Sequence, residues 1–130
     1  MNESRVARAV EKKASGKYNC AQAVACTYCD LAGLDEDTMR NVANAFGSGM
    51  GCGEGTCGAL VGAGMVLGLI RKDRMQSMKE MKTLITRFKE LNGSTVCKEL
   101  KGLLTGSPLR ECNGCVADAA SLLEENSLFL

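Results

Sequence analysis

Residues 57–72, CGALVGAGMVLGLIRK, are apolar around the whole circumference of any helix they form, and a helix without a polar face belongs in the middle of a fold. The rest of the chain is patterned to surround it. Apolar residues recur at three and four rather than at two, valine and isoleucine runs bounded by turns are missing, and there is a single proline, so the spacing predicts helix and no sheet. One amphipathic helix is expected from about Glu3 to Ala14. A second starts at the capping residue Asn19, with Gln22 reaching back, and ends near Gly33; a third runs from Asp35 or Glu36 to Phe46. Thr56 is the expected cap of the central helix. Asp73 and Gln76 mark the next start, and a stripe of Met75, Met78, Met81, Ile85, Phe88 and Leu91 reads as core up to the stop at Asn92-Gly93. Ser94 or Thr95 caps a short helix carrying Cys97. Ser107-Pro108 opens a further turn, and a last helix from about Cys115 to Asn126 buries Val116, Ala119, Ala120 and Leu123. The expected fold class is all-α: a single-domain bundle over residues 1–130, with about five to seven helices around the central glycine-rich apolar one.

Glycine then marks where chemistry belongs. Between Gly47 and Gly55 every second residue is glycine, a composition that lets backbone N–H groups approach a bound group closely. The run delivers Cys57 to a helix start, where unpaired N–H donors and the positive dipole end favour a thiolate. A bound cofactor or a reactive thiol is the expectation. Gly58, Gly62, Gly64 and Gly68 each cost roughly 1 kcal/mol of helix propensity relative to alanine. Close approach of another helix is the expected compensation for the later pair, and clearance for a cofactor beside Cys57 for Gly58.

Eight cysteines and no histidine narrow that chemistry. The charged opening segment MNESRVARAVEKK reads as neither a secretory signal nor a transit peptide, so a reducing cytoplasmic setting is expected, where clustered cysteines mean metal, cluster or thiol redox work. Without histidine, mixed Cys/His zinc sites, a Cys–His nucleophile and haem ligated by histidine are excluded. Sixteen basic against fifteen acidic residues leave a net charge of +1 with the signs mixed, which recommends neither nucleic acid nor a membrane surface. Gly53-Glu54-Gly55-Thr56-Cys57-Gly58 matches GxGxxG, but a helix rather than a strand is expected before it, which removes the dinucleotide reading. The CxxC pairs Cys26/Cys29 and Cys112/Cys115 are separated by most of the chain, unlike the close pairs of a zinc ribbon, and Cys26 and Cys29 read as small core residues.

Several motifs together resemble those of a known family, the redox-active proteins named for a C…GCAxxG…C…C cysteine pattern. They are Asn19-Cys20-Ala21-Gln22-Ala23-Val24, Phe46-Gly47 with Gly49-Met50-Gly51, Thr56-Cys57-Gly58-Ala59-Leu60 with Gly62-Ala63, Asn92-Gly93-Ser94 followed by Cys97, and Cys112 followed by Val116, Asp118 and Ala119. The literal GCAxxG is CGALVG here. The family is similar to the iron–sulfur part of split-Soret cytochromes, so the resemblance implies an all-helical fold in which thiolates hold a cluster. Motif by motif, Cys20, Cys57, Cys97 and Cys112 fall on the family positions and are the implied metal ligands. Cys26, Cys29, Cys52 and Cys115 are additions of this sequence.

The leading expectation is an iron–sulfur cluster for one-electron transfer to an unidentified redox partner protein, with Gly53, Gly55 and Gly58 lining the cofactor site and hydrogen-bonding its sulfides through their N–H groups. Two alternatives stay open. One is a cofactor-free thiol–disulfide enzyme or sensor with Cys57 attacking and Cys52 or a distant cysteine resolving; the other is a zinc-binding structural or interaction module. A homodimer is compatible with all three.

Overall fold

The computed structural model describes residues 3–128, and these form seven α-helices: α1 (Val6–Ala14), α2 (Cys20–Thr27), α3 (Glu36–Val42), α4 (Gly58–Arg71), α5 (Arg74–Asn92), α6 (Cys97–Leu100) and α7 (Cys112–Leu123). A π-helical turn, Glu124–Leu128, continues α7. Among the described residues there is no strand beyond a single bridge between Thr56 and Val96. The protein is all-α. Among the described residues, no helix is long and apolar enough to cross a membrane.

α4 is the central element, packed on α2, α5 and α7. Its glycines divide by what they touch. A Cβ on Gly62 would lie 2.5 Å from the Ala21 carbonyl oxygen, so the α2 crossing depends on its absence. A Cβ on Gly64 would lie 3.3 Å from the Met81 side chain on α5, whereas Gly68 faces open space. Close helix approach therefore accounts for Gly62 and Gly64 but not for Gly68. Gly68 is exposed and Met65, Leu69 and Ile70 are only partly buried, so one side of α4 is less covered than its sequence implies.

α2 is buried along its whole length, and the expected capping box is present: Gln22 N–H donates to Asn19 Oδ1 and Asn19 N–H to Gln22 Oε1, both at 2.8 Å. It stops at Thr27 rather than near Gly33. The Thr27 hydroxyl donates to the Ala23 carbonyl at 2.8 Å, a competition that weakens helix, and tight turns carry the chain on to Gly33 at φ +75°. α3 likewise ends at Val42, short of Phe46. In α5 the buried row is Leu84, Phe88 and Asn92, with Met81 packed beside it. This corrects the expected stripe. The inward row advances by four, which turns Asn92 in and leaves Leu91 64% exposed, and Met75 and Met78 stand in solvent at the first turns.

The two ends of the bundle meet at a buried carboxylate. Glu124 Oε2 accepts from the Arg5 backbone N–H at 2.7 Å and from the Tyr28 hydroxyl at 2.5 Å. The Arg5 guanidinium reaches the Thr27 carbonyl and Asp30. With Arg5 N–H engaged there, α1 begins at Val6 rather than at Glu3.

Candidate functional site

Four helix starts aim at one small pocket. Cys20 is the first residue of α2, Cys97 of α6 and Cys112 of α7, and Cys57 sits one position before α4 in the cap position, not inside the helix as its sequence predicts. All four line the pocket, together with Cys115, Gly58, Ser48, Leu100, Lys101 and Arg110. α7 begins at Cys112, three residues before its expected start. Cys112 and Cys115 therefore share one helical face.

The glycine loop builds this pocket from outside. Residues 48–51 all have left-handed φ, at +51°, +61°, +65° and +80°, and Gly51 N–H closes the turn onto the Gly47 carbonyl at 2.9 Å. Two of the four, Ser48 and Met50, are not glycine, at a cost of roughly 1–2 kcal/mol each. The turn brings Ser48 to the pocket wall. It also lets backbone pass close to the residues that carry the site: a Cβ on Gly47 would collide with Asn19, and one on Gly49 would lie 2.5 Å from Cys97 Cβ. Beyond the turn, the loop is stitched to α6. Cys97 N–H donates to the Gly55 carbonyl at 3.0 Å, Lys98 N–H to that of Gly53 at 2.8 Å, and Cys57 N–H to that of Thr95 at 2.7 Å.

Gly53 and Gly55 are not among the residues that line the pocket; their carbonyls hold α6, and their N–H groups donate to the Ser48 and Gly49 carbonyls at 2.9 and 3.0 Å. Gly58 is in the wall, but a Cβ there would meet the Phe46 carbonyl at 3.0 Å and Ala21 N at 3.2 Å, so packing by neighbouring backbone already requires the glycine.

Inside the pocket the thiols influence one another's protonation. Interaction with Cys112 pushes the Cys20 thiol up, while Cys20 holds Cys112 down at about 6, with Lys101 and Lys13 adding their positive charge. Cys115 is likewise pushed up by Cys57, and its sulfur lies 3.8 Å from the Arg110 carbonyl. Cys57 is lowered first by Cys115. The amides of Ala59 and Leu60 face its sulfur without closing a cap hydrogen bond and favour the thiolate further. Burial pushes the Cys97 thiol up against the pull of Lys101. Among the described residues, no group of three or more cysteine or carboxylate side chains is gathered tightly enough to hold a single metal ion.

The other three cysteines lie elsewhere. Cys26 and Cys29 are buried at the opposite end of α2, where burial raises both thiols, Cys26 to about 11. Cys52 is exposed on the loop with its sulfur 3.6 Å from the Gly49 carbonyl. It does not line the pocket, whereas Cys57 and Cys115 both do. Cys115 is the residue that sequence reasoning leaves out of the site. Its signal is the CxxC spacing, hidden when the last helix is started at Cys115.

No curated protein and no solved structure matches the chain at a significant level. One family model does, over residues 18–126, a span that takes in the pocket cysteines and leaves out α1. The chain belongs to the family described as "Putative redox-active protein (C_GCAxxG_C_C)".

Proposed function

We propose that the pocket is a redox centre in which Cys20, Cys57, Cys97 and Cys112 hold an iron–sulfur cluster, and that the protein passes single electrons to a partner protein in a reducing, cytoplasmic setting. The observation that carries this reading is the meeting of four cysteines, each from a different helix start, at one pocket beside Lys101 and Arg110. The donor set suits the group: iron–sulfur clusters are held by thiolates and need no histidine, and a cluster when bound supplies a one-electron couple.

The chain's own residues prepare the ligands. The N-terminal turns of α4 and α7 favour negative sulfur at Cys57 and Cys112, and Lys101 and Arg110 offset part of the charge that four thiolates concentrate. Arg110 is held in place by Asp118 at 3.1 Å, lying over Gly114, where a Cβ would strike its guanidinium. Leu100 is buried in the same wall, and interactions beside it act at a lower local dielectric than in bulk water. The test is anaerobic purification followed by visible absorption and analysis for iron, acid-labile sulfide and zinc. Iron and sulfide in equal amounts in a coloured protein support the reading; a colourless protein that cannot be reconstituted with iron and sulfide overturns it.

A second reading, thiol–disulfide exchange without a metal group, is favoured by one specific observation. Five thiols line one pocket, and two of them, Cys112 and Cys115, stand three residues apart at the start of α7, a spacing that suits thiol–disulfide exchange. Zinc in a structural module has no observation of its own.

A further inference from the structure

α5 turns Leu84 and Phe88 inward, and its outward side carries more than a solvated helix needs. Met75 and Met78 are 68% and 62% exposed, and Lys79 and Lys82, also exposed, follow them at a spacing of four, so the four side chains share one face. Together with Asp73 and Gln76 they line an open groove of about 580 Å³. A single exposed methionine would mean little. Two in one groove form an apolar patch, and their unbranched, polarisable side chains adapt to whatever is pressed on them. The helix is also one-signed: from Arg74 to Lys89 it carries Arg74, Lys79, Lys82, Arg87 and Lys89 against Glu80 alone, and Glu80 is held by Arg71 at 2.6 Å. The Asp73 carboxylate is engaged as the helix cap, accepting from the Gln76 N–H at 2.7 Å. Among the described residues Lys79 and Lys82 enter no ion pair.

We propose that this face of α5 is a docking site for an acidic amphipathic helix of a partner protein, its apolar ridge seated on Met75 and Met78 and its carboxylates on Lys79 and Lys82. Recognition of a helix in a groove reads apolar anchors about one turn apart, which is how the two methionines stand. The flanking charge selects the occupant. A second copy of the chain would bring cations onto cations. A bilayer is met by Trp, Phe or Leu, and single-stranded nucleic acid stacks on aromatic rings; the groove is lined by none of these. The site is separate from the cysteine pocket. α4 starts at the pocket with Gly58 and ends at Arg71, shortly before α5 begins, a run of about 20 Å. A partner on α5 is thus held to the protein without covering the pocket, and the inference stands whatever the pocket holds.

The probe is a synthetic helix-forming peptide with leucines on one face and glutamates on the other; a second peptide has lysine in place of every glutamate. Full-length protein with isotope-labelled methionine methyls is titrated with each and followed by NMR. The glutamate peptide is expected to shift the Met75 and Met78 methyls and to leave alone Met39, which is 0% exposed, and Met50 on the glycine loop. The lysine peptide is expected to shift none of them. Raising the salt from about 0.05 M to about 0.5 M should weaken binding by about tenfold. The double variant Met75→Gln/Met78→Gln should keep its helical circular dichroism and bind about tenfold more weakly; should it unfold, Lys79→Glu/Lys82→Glu, in which binding is expected to be lost, gives the same reading. A glutamate peptide that leaves Met75 and Met78 unshifted, binds the glutamine variant as tightly as the parent, or binds no more tightly than the lysine peptide overturns the proposal. So does self-association, or binding to vesicles of anionic phospholipid, that the glutamine variant abolishes, since either gives the face to another occupant.

Discussion

Replacing Cys57 by serine removes a sulfur whose negative form is favoured both by Cys115 and by the start of α4, while leaving the helices that carry it. Iron loading is therefore expected to fall to background with the helical circular dichroism kept, and full iron content in Cys57→Ser would remove the residue from the site. Cys26 offers the contrasting case. It is 4% exposed in the core, so Cys26→Ala should keep its iron and lose about 1 kcal/mol of stability to lost packing. Its thiol also sets a pH dependence. Burial raises it from the ordinary thiol value of 9.0 to about 11, so the folded state holds the proton more firmly than the unfolded one. That contribution is complete below pH 9 and is lost as the pH climbs toward 11. Thermal melts from about pH 8 to about pH 10.5 should thus fall more steeply for the parent than for Cys26→Ala; parallel curves would show that Cys26 is not the group responsible.

At the scale of helices and loops, glycine is where sequence and structure part company. Gly62→Ala raises helix propensity yet puts a Cβ 2.5 Å from the backbone oxygen of Ala21, so it should destabilise by about 1–3 kcal/mol. Gly68→Ala meets nothing within 4 Å and should stabilise by up to about 1 kcal/mol. Denaturant titration of both variants checks the pair, and equal effects would mean that the α2–α4 crossing is looser than it looks. Neither difference is legible in the sequence, because propensity reads all four glycines of α4 alike and only the crossing helix tells them apart. Gly55→Val carries a similar lesson. A Cβ there would lie 2.5 Å from Met50 Cγ and 3.0 Å from the Gly49 carbonyl, so the loop must shift and Cys97 with it. Iron loading and melting temperature are expected to drop together, and loading lost at an unchanged melting temperature would return Gly55 to direct contact with the ligand. What the sequence does disclose is local chemistry with one reading: the Asn19/Gln22 capping box, the Asp73 and Gly93 limits of α5, and the inward face of α7. It hides the α5 stripe and the first turn of α7, since each depends on which neighbour is present.

For the molecule as a whole, the buried Glu124 joins α1, α2 and the end of α7 through Arg5 and Tyr28. Tyr28→Phe withdraws one of the carboxylate's two donors there and should cost about 1–3 kcal/mol, seen as a lower denaturation midpoint with the pocket thiols unaffected. The same contact has a topological meaning. Because the Arg5 backbone N–H lies 2.7 Å from the Glu124 side chain, the start of α1 and the end of α7 are neighbours, and the order in which the helices follow one another matters little to how they pack. A flexible linker that joins the segment after Glu124 to the segment before Arg5, with new ends cut between the α4 and α5 helices at the exposed Lys72-Asp73 junction, would give a circular permutant with the same bundle. The pocket cysteines would then be read in the order 97, 112, 115, 20, 57. Nothing about their meeting place depends on which comes first.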